Sequence, residues 1–78
     1  MISIIVRHGE KTVAMEVHPQ ELLGSVANRA AKQLVKRDKV WTVWTLKKPE
    51  AKSYEPNYQI ASAVAVDSTL FDLYGVTV

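Results

Sequence analysis

The chain contains no cysteine, and only three glycines and three prolines stand among its 78 residues. The lack of cysteine excludes a disulfide scaffold, a thiolate metal site, an iron–sulfur cluster and a cysteine nucleophile. No apolar run approaches the ~20 residues that span a bilayer, because Arg7 and His8 interrupt the opening one. We therefore expect a cytoplasmic protein with neither a membrane span nor a targeting signal.

Length and charge predict one small domain over residues 1–78. The chain is 47% hydrophobic, which is enough to build a core, and its net charge of +2 is too small to indicate a nucleic-acid partner by itself. The charge is uneven, since all ten basic residues precede residue 53. This asymmetry predicts either one basic and one acidic docking face or two halves of one fold that neutralise each other.

Two alternating segments at the start predict a β-hairpin. Apolar side chains alternate with others over residues 2–6 and again over 13–17. The short polar segment 8–11 between them contains Gly9, which can adopt positive φ in a tight turn.

A helix is predicted after Pro19, which ends the second strand. Apolar residues recur there at helical spacing, at Leu23, Val26, Ala27, Ala30 and Leu34. No Ser, Thr, Asp or Asn stands at its start, and Gly24 in the first turn costs about 1 kcal/mol relative to alanine. We expect packing, rather than intrinsic propensity, to stabilise this helix.

Residues 40–46 are aromatic and β-branched and predict a strand that is apolar on both faces. Alternation places Trp44 on one face, and Trp41 and Val43 on the other. The polar, proline-bracketed segment 47–57 predicts a long loop.

The last third of the chain permits more than one structural interpretation. Alternation over 58–66 indicates a fourth strand, although its alanines also permit a short helix. Residues 69–75 are interpreted as a turn or a short helical turn before the terminal residues Val76, Thr77 and Val78.

The order of hairpin, helix and further strands is that of a β-grasp domain, and the residues resemble the ubiquitin family. The resemblance rests on the strand after Met1, Lys11-Thr12, Glu16-Val17, Pro19 and Val26, and on Thr69-Leu70, Asp72, Tyr74 and Val76. It implies an α+β, ubiquitin-like β-grasp fold, with a mixed four- to five-stranded sheet and one main helix packed across one face.

Two departures from the family stand out. The segment 40–66 is longer than the family's, and the chain stops at Val78 without a diglycine. Either 73–78 forms a shortened final strand, or that strand is absent and 58–66 replaces it. Because activation of such modifiers needs a terminal glycine carboxylate, we expect neither conjugation nor sulfur transfer.

No pattern of residues predicts catalysis. His8 and His18 fall at opposite ends of the hairpin, so they cannot share a metal, and Ser25 has no nucleophile-elbow motif around it. Asp67 and Asp72 are interpreted as turn or capping residues. We therefore expect a non-enzymatic protein without cofactor or metal.

Surface residues predict binding to a protein. Tryptophan is enriched in binding hot spots, and the ubiquitin resemblance implies recognition through the open sheet face. The predicted protein-binding residues are Arg7, Trp41, Val43 and Trp44. We expect a non-covalent adaptor, inhibitor or assembly component that uses this face or a sheet edge, and an edge can also pair with a second copy in a homodimer.

A basic patch gives the alternative, a small nucleic-acid-binding protein that uses the carboxyl end of the helix. Its residues are Arg29, Lys32, Lys36, Arg37, Lys39, Lys47 and Lys48. An ordinary solvated helix face, with lysines that complement the helix dipole, accounts for the same residues.

Overall fold

The computed structural model describes residues 1–35, 42–66 and 68–77. Its elements are β1 (Ile2–His8), β2 (Lys11–Val17), α1 (Leu23–Leu34), β3 (Thr42–Lys47), α2 (Ala61–Val64) and β4 (Leu70–Thr77). They form a small α+β domain in which α1 packs across a four-stranded mixed sheet.

The sheet has the strand order β2-β1-β4-β3. The outer pairs β1/β2 and β3/β4 are antiparallel, whereas the central pair β1/β4 is parallel. The predicted hairpin is confirmed: Ile2 pairs with Val17, and the turn contains Gly9 at a φ of 62°. Glycine adopts this left-handed conformation without the steric cost that other residues bear.

The core lies between α1 and one face of the sheet. The predicted helix is confirmed, and its apolar stripe is buried against alternate residues of the strands. The largest fully buried side chains are Phe71, Ile4, Leu23, Leu46, Val6, Val17 and Val26. Burial on this scale, at about 25 cal/mol per Å² of apolar surface, is the main stabilising contribution to so small a domain.

The predicted strand over residues 58–66 is wrong, and the alternative of a short helix is the one observed, because α2 occupies the middle of that segment. Neither helix has a side-chain N-cap. Instead, backbone carbonyls from the segment before α2 cap the start of α1, and backbone carbonyls from the segment before α1 cap the start of α2. At α1, the N–H groups of Leu23 and Gly24 donate to carbonyls of residues 57–59, and at α2, those of residues 61 and 62 donate to carbonyls of residues 19–21. This exchange satisfies terminal N–H groups that would otherwise lack partners.

The predicted turn over 69–75 is also wrong, because β4 runs through it from Leu70 to Thr77. A final strand is therefore present, and it begins earlier than the predicted 73–78. Asp72 and Gly75 resemble turn residues in sequence, but each has a tertiary reason to lie in a strand. Asp72 binds Arg7, and Gly75 makes room for Trp44.

Candidate functional site

The face of the sheet opposite α1, here called the open face, carries a row of polar side chains across all four strands. Arg7 pairs with Thr12 of β2 and with Asp72 of β4, and Asp72 pairs in turn with Lys47 of β3. Because directly paired residues point to the same face, these four side chains form one line, here called the charged row.

A bidentate ion pair lies at the centre of the charged row. Arg7 Nε donates to Asp72 Oδ1 at 2.7 Å, and Arg7 Nη2 donates to Asp72 Oδ2 at 3.2 Å. Asp72 raises the pKa of Arg7 above its ordinary value, chiefly through the side-chain hydrogen bond and to a smaller extent through the Coulomb attraction of its charge. The Arg7 side chain is 42% exposed and that of Asp72 only 15%, so the cation is the more accessible partner.

Apolar side chains flank the charged row on both sides. On one side Ile5 of β1 pairs with Leu70 of β4. On the other, Val43 pairs with Val76, next to Tyr74. The exposed members of this set are Ile5 (44%), Val43 (47%), Tyr74 (40%) and Val76 (47%). The open face is therefore apolar on either side of a charged centre.

The loop after β3 adds a further aromatic residue. Tyr54 contacts Tyr74 edge to face, with ring centroids 5.3 Å apart. Backbone hydrogen bonding positions the loop, because the N–H of Glu55 donates to the carbonyl of Leu46 at 2.8 Å. Tyr54 was not among the residues predicted for protein binding, because a loop tyrosine in a sequence gives no indication of which face it will join.

The three described residues among the four predicted for protein binding divide between the two faces of the sheet. Arg7 and Val43 lie on the open face as expected. Trp44 instead packs half-buried against the core on the α1 side, edge to face with His8 at 6.2 Å between ring centroids. Trp41 lies outside the described residues.

The four described members of the predicted basic patch lie in different parts of the fold: Arg29 and Lys32 in α1, Lys47 in β3, and Lys48 directly after β3. Arg29 of α1 is ion-paired with Glu21 and donates to the backbone carbonyl of Glu16. Lys47 belongs to the charged row, and its ammonium group donates to the carbonyl of Lys48 at 3.3 Å. Lys32 is exposed on α1. The remaining members, Lys36, Arg37 and Lys39, lie outside the described residues.

The residues considered for catalysis or metal binding make local contacts. His18 Nδ1 accepts a hydrogen bond from the N–H of Gln20, and Ser25 Oγ donates to a carboxylate oxygen of Glu21. Over the described ranges, no three His, Cys, Asp or Glu side chains come close enough to hold a metal ion. None of the helices described is both long and apolar enough to cross a membrane.

A scan of the sequence against protein-family models finds no match, and a search of curated proteins finds none.

Proposed function

We propose that this chain is a ubiquitin-like β-grasp domain that acts as a non-catalytic protein-interaction module. It binds a protein partner non-covalently through the open face, as an adaptor, inhibitor or assembly component. The β-grasp assignment is supported by the strand order β2-β1-β4-β3, with its parallel central pair, and by the 12-residue helix α1, which packs across one face.

The exposed apolar surface around the Arg7–Asp72 pair is the observation that carries this proposal. The pairs Ile5–Leu70 and Val43–Val76 lie on either side of that ion pair, and Tyr74 and Tyr54 extend the second group. Contiguous exposed apolar patches on small domains mark interaction sites. Tyrosine and arginine are among the residue types enriched in interface cores.

Hydrogen bonding at the sheet edges favours the open face over edge pairing. On the outer side of β3, the carbonyl of Trp44 accepts from Asn57 Nδ2, and that of Leu46 accepts from the loop backbone. On β2, the carbonyl of Glu16 accepts a hydrogen bond from Arg29 Nη2. Strand addition by a partner or a second copy would have to displace these contacts, whereas docking on the face leaves them intact.

Site-specific photo-crosslinking tests the proposal. A photoreactive amino acid is placed at Val43 or Val76 on the open face, and in matched controls at Tyr58 or Val66, which are exposed outside the sheet. In extract of the source cells, we expect discrete crosslinked protein species from the two face positions only. The same species from all four positions, or none from the face, would contradict the proposal.

A further inference from the structure

We infer that the partner segment that docks on the open face is an apolar segment with one carboxylate at its centre, and that Arg7 binds this carboxylate. The inference rests on the proposed function and adds the chemistry of the partner. Three features of the charged row support it: the unused donors of Arg7, the balance of charge, and the position of the row between two apolar groups.

Arg7 retains donors for a second acceptor. Its Nε and Nη2 atoms donate to Asp72, and its Nη1 atom has no hydrogen-bond partner among the residues that the structure describes. A guanidinium carries five N–H groups in a planar fork, so one carboxylate does not saturate it. An arginine that is bound to one carboxylate can therefore donate hydrogen bonds to a second carboxylate from a partner.

The charge of the row favours an incoming anion over a cation. Asp72 of β4 is paired with one cation on each neighbouring strand, Arg7 of β1 and Lys47 of β3. The row therefore carries two positive charges and one negative charge. The acid is also the less exposed of the central pair. An approaching lysine would meet two like charges, whereas a carboxylate complements the excess.

The surface beside Arg7 is concave. A depression of about 510 Å³ lies between the hairpin turn and β4, and Arg7, Gly9, Asp72 and Gly75 contribute to its lining. On the open face, the neighbouring surface is apolar on both sides of the row. A partner segment that crosses the row therefore meets apolar surface, then Arg7, then apolar surface again.

Peptide titration monitored by amide NMR shifts tests the inference. Three synthetic peptides share one alternating apolar sequence and differ only in the central residue, which is Glu, Gln or Lys. We expect the Glu peptide to shift the amides of Ile5, Arg7 and Tyr74, with roughly fivefold to tenfold tighter binding than the Gln peptide. The Lys peptide should bind most weakly, and added salt should reduce the preference for Glu.

Variants of the charged row separate the role of Arg7 from that of net charge. Arg7→Gln should abolish the preference for Glu, and Asp72→Asn should increase it, because it frees the guanidinium. Lys11→Gln is the matched control, since it removes one positive charge from an exposed residue at the hairpin turn. The amide spectrum of each variant establishes that it is folded.

Two results would overturn the inference. One is equal affinity for the Glu and Gln peptides, and the other is a loss of preference as large in Lys11→Gln as in Arg7→Gln. If both peptides shift open-face amides with equal affinity, the interaction function stands and only the acidic partner is refuted. The crosslinking experiment tests separately whether the open face binds a protein partner at all.

Discussion

Trp44 of β3 pairs directly with Gly75 of β4, and the tip of the indole ring occupies the space where a side chain at residue 75 would lie. A Cβ built on Gly75 would be 2.8 Å from Trp44 Cζ3 and 2.8 Å from Thr42 Cγ2. The ring also contacts His8 of β1 edge to face. The absence of a side chain at residue 75 thus lets one aromatic residue contact both halves of the sheet.

Substitution of Gly75 should therefore destabilise the fold. We expect Gly75→Ala to lower the free energy of unfolding by about 1–3 kcal/mol, because the methyl group overpacks the site. Chemical denaturation measures this change. In a double-mutant cycle, Trp44→Leu should relieve part of the cost, with a coupling of roughly 0.5–3 kcal/mol. Strictly additive effects would show that the ring is not the cause.

At Gly9, the backbone conformation rather than steric crowding should determine how much a substitution destabilises the fold. Its φ is +62°, and nothing lies within 4 Å of a Cβ built there. Asparagine tolerates this left-handed region, whereas a β-branched residue does not. We expect Gly9→Asn to cost well under 1 kcal/mol and Gly9→Val roughly 1–2 kcal/mol. Thermal unfolding of the two variants provides the comparison, and equal destabilisation would contradict this account.

Asn57 holds the loop against β3 through one hydrogen bond. Its Nδ2 atom donates to the carbonyl of Trp44 at 3.1 Å, while its Oδ1 atom is buried without a partner in the described part of the chain. Asn57→Ala should cost about 0.5–1.5 kcal/mol. Asn57→Asp should cost more at neutral pH, because it replaces the donor with a charged acceptor facing a carbonyl.

The pH dependence of the Asp variant checks that explanation. Protonation of the new carboxyl group restores a donor, so the difference in unfolding free energy between Asn57→Asp and Asn57→Ala should narrow as the pH falls. Denaturation at neutral and at acidic pH measures it. A difference that is constant with pH would show that charge is not responsible.

Nucleic-acid binding should be absent. Arg29 is engaged by the carboxylate of Glu21 and by the backbone carbonyl of Glu16, so this cation of the predicted basic patch is not free for phosphates. We expect no co-sedimentation with a short mixed nucleic acid at low or high salt. Co-sedimentation that falls steeply with salt, and is lost on joint neutralisation of Lys36, Arg37 and Lys39, would instead establish the alternative function.

The hairpin and the main helix were predictable because their signals are local. Alternation over 2–6 and 13–17 and the glycine turn between them specify an antiparallel pair, and the spacing from Leu23 to Leu34 specifies the helix. The segments 58–66 and 69–75 were not, since each depends on partners distant in the chain. A short alanine-rich segment becomes helical once carbonyls of residues 19–21 accept its first N–H groups.

The sequence by itself determined the class of the fold, the apolar face of each local element and the lack of any cysteine chemistry. Tertiary structure alone decided which distant side chains meet on the open face. Arg7 and Asp72 are 65 positions apart, and only the parallel pairing of β1 with β4 brings them together. Likewise Tyr54 joins Tyr74 because hydrogen bonds to β3 position the loop. Pairing between distant strands follows from global packing, which no local pattern encodes.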